Sequence, residues 1–208
     1  MREAPSTNQT GQDDFRALMA GFPTGVAVVT VVDADGSPRG ITCSSVCSVT
    51  LAPPTLLVCV RNASPTLAAV LAAGRFTLNL LDHNARPTAE LFASGDPRRF
   101  ERAEWAIDGG ACGPHLVRDA HSIADCLVSR ADRVGDHTVV MGAVRRVLRR
   151  KSRRPLLYGL RRYSVWPEPH DPAPAPAPAG VADIAAPAAA GHHHRTALTA
   201  ETASHRMS

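Results

Sequence analysis

The sequence predicts a mainly β fold, a closed antiparallel barrel with a few short helices at its periphery. Two observations carry this reading. Roughly six strand-like segments and two or three helical ones crowd into about 150 residues, and they do not alternate as the βαβ units of a parallel sheet would.

Taken in order, residues 15–21 place Phe15, Leu18 and Met19 on one face of a short amphipathic helix that Gly21 and Pro23 stop. Residues 26–32 (VAVVTVV) are β-branched and end at the turn signal Asp35-Gly36, after which 39–47 resumes, so the two read as a hairpin. Residues 56–60 read as a buried strand. Residues 65–73 (PTLAAVLAA) read as a helix capped by Ser64, with Pro65 at its first position and Gly74 at its end. A strand over 75–81, a short helix over 88–93 and an irregular stretch over 100–113 follow. Strands over 120–130, 138–148 and 156–166 close the set.

The chain has 208 residues, but from Pro167 onward Pro and Ala dominate (PEPHDPAPAPAPAG), too little apolar surface to offset chain entropy. The folded domain is therefore set at 13–166, between a disordered segment 1–12 and a disordered tail 167–208. His192, His193 and His194 fall in that tail with no Cys or carboxylate framing them, so they read as solvated residues and not as a metal site. The first residues lack the apolar run of a signal peptide, and no stretch approaches the ~20 apolar residues of a membrane span, so a cytoplasmic protein without membrane contact is expected. Five cysteines without CxxC spacing suggest neither a disulfide framework nor zinc.

Net charge is +4, and 145–154 (RRVLRRKSRR) holds seven basic side chains. A solvated loop, a docking surface for an acidic partner and a nucleic-acid contact compete here; the absence of aromatic residues within the stretch disfavours the last. No nucleic-acid partner is expected.

Chemistry concentrates in 40–61 (GITCSSVCSVTLAPPTLLVCVR), where Thr42, Cys43, Ser44, Ser45, Cys47, Ser48 and Thr50 are short and polar. That is too many for an ordinary core strand, and the hydroxyls suit a phosphate or a polar heterocycle. The Gly135-Asp136-His137 turn precedes a strand, a setting that presents His137 at the barrel mouth.

Phe22-Pro23-Thr24-Gly25-Val26, GITCSSVCSVTLAPP, RNASPTL, GRFTLNLL, LFASGDPRRF followed by Trp105, Gly135-Asp136-His137 and PLLYGLRRY occur in an order that resembles the short-chain flavin reductase family. The resemblance spans 15 to about 166. It implies an FMN-binding split barrel, six-stranded and Greek-key-like. It further implies an NAD(P)H:flavin oxidoreductase that reduces FMN or FAD by hydride transfer, works as a homodimer and supplies free reduced flavin to a partner monooxygenase.

Residue by residue, it places Gly40, Ile41, Thr42, Ser44 and Ser45 against the isoalloxazine and ribityl parts. Cys59, Val60 and Arg61 fall on a second contacting strand end, with Arg61 a partner for the phosphate. Ser64 and Thr66 fall at the helix start that receives the phosphate, where Pro65 departs from the family's usual donor. Leu91 and Phe92 lie along the cofactor, or are simply helix core. Arg98, Arg99 and Phe100 match a segment near the dimer partner's flavin. His137 is the catalytic candidate, beside nicotinamide and flavin ring, while Arg161 and Tyr163 match the region that touches the nicotinamide nucleotide; Tyr163 equally suits barrel packing. No GxGxxG motif is present, so NADH or NADPH would lie folded over the flavin in an open groove. The alternative is a non-catalytic flavin-binding or redox-sensing barrel, which has no need of His137, Arg161 and Tyr163 as a nicotinamide shelf. A pyridoxamine-phosphate oxidase-like activity is less favoured, because the basic residues it needs are missing from 40–61.

Overall fold

The computed structural model describes residues 11–150 and 154–166. The proline-alanine tail, its histidine triplet, most of the first twelve residues and 151–153 of the basic stretch lie outside the described residues. Helix α1 (Gln12–Ala20) leads into the two-residue strand β1 (Thr24–Gly25) and the apolar β2 (Ala27–Val32). Then come β3 (Pro38–Cys43), β4 (Val46–Leu51), β5 (Pro54–Arg61), helix α2 (Pro65–Ala73) and β6 (Arg75–Leu81). Helices α3 (Arg86–Ala93) and α4 (Arg99–Arg102) precede the long hairpin β7 (Ala120–Val134) and β8 (His137–Arg149), and β9 (Leu156–Gly159) and β10 (Arg162–Val165) finish the chain.

The main sheet has seven strands in the order β3-β2-β6-β7-β8-β5-β4, with every neighbouring pair antiparallel. The strand expected over 39–47 is two strands, because the ladder changes partner at Ser44 and Ser45: β3 pairs with β2, whereas β4 pairs with β5. The two edge strands are thus consecutive in the chain. A second, three-stranded sheet has the order β1-β9-β10. The single strand expected over 156–166 is instead a tight hairpin, in which Tyr158 faces Tyr163 and the chain reverses through Leu160 (φ 50°) and Arg161 (φ 59°). Neither residue is a customary left-handed one, so the turn carried no Asn-Gly or Asp-Gly signal.

Strand β2 is apolar at every position but Thr30 because both of its faces are covered. Ala27, Val29 and Val31 join Val58, Val60, Val70, Phe76, Leu78 and Val140 in the larger core. Val26 and Val28 join Leu81, Ala89, Phe92, Leu116 and Leu156 in a second core beneath α3. Helix α2 spans the expected residues, with Ser64 extended at the N-cap, Pro65 in its first turn and Gly74 closing it in the left-handed region (φ 63°). Helix α1 begins earlier than expected and buries none of its residues; Phe15, Leu18 and Met19 are exposed.

The stretch expected to be irregular contains α4 and is then held to the sheet by buried polar side chains. Thr30 Oγ1 donates to the Pro114 carbonyl (2.6 Å), Thr77 Oγ1 to Asp125 Oδ1 (2.7 Å), and the Leu116 N–H to Asn79 Oδ1 (2.8 Å). Asp125 also accepts from the Cys112 N–H (2.9 Å) and Arg146 Nε (2.8 Å), with His115 Nε2 at 3.0 Å. Arg146 then reaches Asp108 with its two terminal nitrogens at 3.2 and 2.6 Å.

Candidate functional site

A groove of about 310 Å³ lies where β3, the end of β5, the start of α2 and the 92–99 segment converge. Gly40, Ile41, Arg61, Ser64, Thr66 and Phe92, each named from the sequence, line it. The floor depends on Gly40 having no side chain: a Cβ there would lie 2.9 Å from Phe92 Cε1 and 3.1 Å from Phe100 Cζ. Phe92 and Phe100 meet edge to face at 5.1 Å, Phe100 meets Trp105 at 5.8 Å, and Trp105 Nε1 donates to the Phe100 carbonyl (2.9 Å).

One end of the groove is electropositive. Arg61 closes strand β5, and Ser64, Pro65 and Thr66 open α2, whose N-terminal peptide dipoles point outward. The Ser64 side chain makes no capping hydrogen bond. Arg99 also lines the groove; burial and the nearby Arg39 push its pKa below the usual arginine range, against the pull of Asp96. Both guanidiniums and the helix terminus suit an anion such as a phosphate. Sequence reasoning placed Arg99 near a neighbouring subunit's cofactor, whereas here it lines the groove of its own chain. Ala63, Ala93 and Gly95 were not singled out; being small and unpatterned, they left no signal.

His137 does not line the groove but stands beside it, directly opposite Arg61 in the β5–β8 ladder. Its Nδ1 lies 2.8 Å from Asp136 Oδ1, and this contact, with the charges of His137 and Arg61, holds the Asp136 carboxyl below the usual carboxylate range. Asn62 fixes the turn: its Nδ2 donates to the Gly135 carbonyl (3.0 Å), its N–H to the Asp136 carbonyl (2.9 Å), and its Oδ1 accepts from Thr138 Oγ1 (2.8 Å). Asn62 lies within RNASPTL, but the sequence reading gave it no role.

The remaining residues named from the sequence take other positions. Thr42 Oγ1 donates to the Ala89 carbonyl (2.7 Å), tying β3 to α3, and Val60 is part of the larger core. Ser44, Ser45 and Cys59 line a second recess of about 350 Å³ with Phe22, Leu57 and Tyr158. There Ser45 is bonded to Cys59 both ways, its carbonyl accepting from the Cys59 N–H (3.2 Å) and its Oγ donating to the Cys59 carbonyl (3.1 Å). Leu91, one position from Phe92 and so about 100° around the helix, lines a separate recess with Pro87, Thr88 and Arg118. Tyr163 packs on Tyr158 (5.2 Å) beneath the Arg86 guanidinium (5.7 Å from the ring centre), and burial raises its pKa. Arg161 is at the exposed hairpin turn, outside the groove.

Comparison with known proteins adds three findings. A family model described as "Flavin reductase like domain" matches residues 19–167. A flavin reductase (NADPH) of Lentzea aerocolonigenes is 49% identical over 153 residues, 74% of this chain and 89% of that protein, and the reductase subunit of a flavin-dependent monooxygenase of Rhodococcus jostii is 32% identical over 144 residues, 69% and 72% of the two chains. An NADH:FAD oxidoreductase of Streptomyces globisporus, solved with NAD and FAD fragments, superposes with a TM-score of 0.72 at 29% identity, covering 77% of this chain and 95% of that one.

Proposed function

The chain belongs to the flavin reductase-like domain family, and on that premise we propose how its residues divide the work of an NAD(P)H-dependent flavin reductase. The enzyme oxidises NADH or NADPH, passes hydride to FMN or FAD, and supplies reduced flavin to a monooxygenase component. When bound, the flavin supplies the hydride-accepting ring system.

The groove suits such a group at both ends. Arg61, Arg99, Ser64 and the start of α2 hold the phosphate, while Gly40, Ile41 and Phe92 offer a flat, small-residue and aromatic wall. His137, held by Asp136 and reached through the Asn62-pinned turn, orients the nicotinamide amide at the rim; no acid, nucleophile or metal is asked of the chain. Ser44, Ser45 and Cys59 present the second recess on the other side of the β3–β4 junction, with Tyr158 at its edge. The observation that supports this reading is that Arg61 both lines the groove and pairs with His137 across the β5–β8 ladder.

We further read the seven-stranded sheet as a six-stranded split barrel, closed through Ser44 and Ser45; the two Ser45–Cys59 hydrogen bonds support it. The exposed apolar face of α1, with Leu51 at 86% exposure, supports a homodimer. Residues 13–166 form the catalytic unit, a span that the family match over 19–167 supports. Five free cysteines support a cytoplasmic setting.

The test is loss of absorbance at 340 nm on adding the protein to NADH or NADPH with FMN or FAD. Flavin-dependent oxidation is expected; retained flavin without turnover would leave only a binding module.

A further inference from the structure

The arginine-rich stretch takes no part in the flavin groove, and the structure places it at the far end of β8. His137 begins that strand and Arg149 ends it, a separation of roughly 40 Å along the strand at ~3.3 Å per residue. Among the described arginines from 145 to 150, Arg146 is held inward, by Asp125 and Asp108. Arg145, Arg149 and Arg150 are exposed and have no carboxylate partner among the described residues.

Apolar side chains lie between these charges. Val147 and Leu148 are 54% and 40% exposed, and Ile107, on the segment that Arg146 ties down, is 48% exposed. Leu148, Arg149 and Arg150 edge a recess of about 190 Å³ whose floor includes Ala106, Val117 and Ile123. Burial and the Arg149 charge lower the pKa of His121 in the same recess, against the pull of Asp82. Arginine interleaved with exposed aliphatic groups on a rigid β-hairpin is the composition of a protein-binding surface. A phosphate backbone would be met by the charges alone and would leave the aliphatic groups unused.

We propose that this ridge, Arg145, Val147, Leu148, Arg149 and Arg150, docks an acidic, leucine-bearing face of the monooxygenase component that consumes the reduced flavin. The proposal rests on the flavin-supplying reading above. Docking at the end of β8 away from His137 leaves the groove open for flavin to enter and leave, and raises the local concentration of the acceptor by tethering alone. Opposite charge steers the encounter and makes it salt-dependent.

The test uses the full chain and a fluorescein-labelled 20-residue peptide of glutamates with a leucine at every fourth position. A DNA duplex of equal charge serves as the second probe. Anisotropy at low and at physiological salt should show the peptide bound more tightly than the duplex at the higher salt. Binding should weaken at least about tenfold, the weight of one to two charge-assisted contacts, in R145E/R149E/R150E. V147S/L148S should weaken the peptide several-fold and leave the duplex unchanged. No peptide binding, or duplex binding that is equal or tighter and indifferent to V147S/L148S, overturns the proposal. NAD(P)H oxidation with free flavin is followed in parallel and should be the same in wild type and both variants. Docking without flavin reduction would remove the flavin-supplying reading and with it the monooxygenase as occupant, leaving the ridge as an acidic-peptide site, and reduction without docking would remove the ridge alone.

Discussion

Arg61 and His137 sit directly opposite each other across the β5–β8 ladder, one lining the anion end of the groove and the other standing at its rim. Side chains at paired positions share a face of the sheet. The Arg61 guanidinium and the His137 imidazole are therefore carried on one face by a ladder of backbone hydrogen bonds, the geometry on which the proposed division between phosphate and nicotinamide rests.

Replacing His137 with Ala removes the group assigned to the nicotinamide. The rate of NAD(P)H-dependent flavin reduction should fall about tenfold or more, one hydrogen bond's worth of orientation, with flavin affinity nearly unchanged. Stopped-flow reduction and flavin titration check the two halves separately, and unchanged turnover would remove the role.

Arg61→Ala and Arg99→Ala should each weaken FMN binding by about ten- to a hundredfold, the loss of a charge-assisted contact of ~1.5–3 kcal/mol. Riboflavin, which lacks the phosphate, should bind wild type and variants alike. Fluorescence titration with both ligands gives the comparison, and equal losses for riboflavin would mean that neither arginine meets the phosphate.

Gly40→Ala puts a Cβ against Phe92 and Phe100, at 2.9 and 3.1 Å. The overpacking should cost about 1–3 kcal/mol and reshape the groove wall. Urea unfolding checks the cost; pairing the change with Phe92→Leu should recover part of it.

Asp125 sets an acid limit. Burial pulls its pKa up, but hydrogen bonds from Thr77, the Cys112 N–H, His115 and Arg146 outweigh it and leave the folded value below the ordinary 3.8. A depressed folded pKa stabilises the fold above the unfolded value, and that contribution is lost as pH falls from ~4 through the folded value. Asp125→Asn should cost about 3 kcal/mol at pH 7, because it strips the charged partner from buried His115 and from half-buried Arg146, which keeps Asp108, and should flatten the stability profile below pH ~4. Urea midpoints from pH 7 to 3 test both statements.

Asn62→Ala alters a residue whose three hydrogen bonds fix the 135–137 turn. The side-chain truncation keeps the Asn62 N–H bond and loses the other two, at about 1–3 kcal/mol. Reduction should slow in parallel with His137→Ala if Asn62 acts by positioning that histidine, and combining both changes should add little.

Local patterns carried much of the fold. Pro65 and Gly74 bracketed α2, the strand 75–81 was legible to the residue, and the β-branched run 26–32 announced a strand, which the structure buries on both faces. Misreadings came where one apolar stretch changes partner. Nothing in 39–47 tells that the ladder switches from β2 to β5 at Ser44 and Ser45, and nothing in PLLYGLRRY marks a reversal at Leu160 and Arg161. The site followed the same rule: Gly40, Arg61, Ser64 and Phe92 were found by their motifs, while Arg99 and Asn62 were given their places by residues distant in the chain.

By itself the sequence determined which residue types the chain offers: an antiparallel β framework, a hydroxyl-rich strand, a Ser-Pro helix start and a histidine turn. Periodicity, turn chemistry and capping act over a few residues and can be read there. Only the tertiary structure decided that Arg61 faces His137, that Leu91 turns away from Phe92's groove, that Thr42 is spent on α3, and that the ridge at the end of β8 stands apart. Those outcomes depend on ladder register and helix docking, and a one-residue slip in either would exchange the faces. The energy that sets them comes from burial shared among distant segments and from no single stretch of chain.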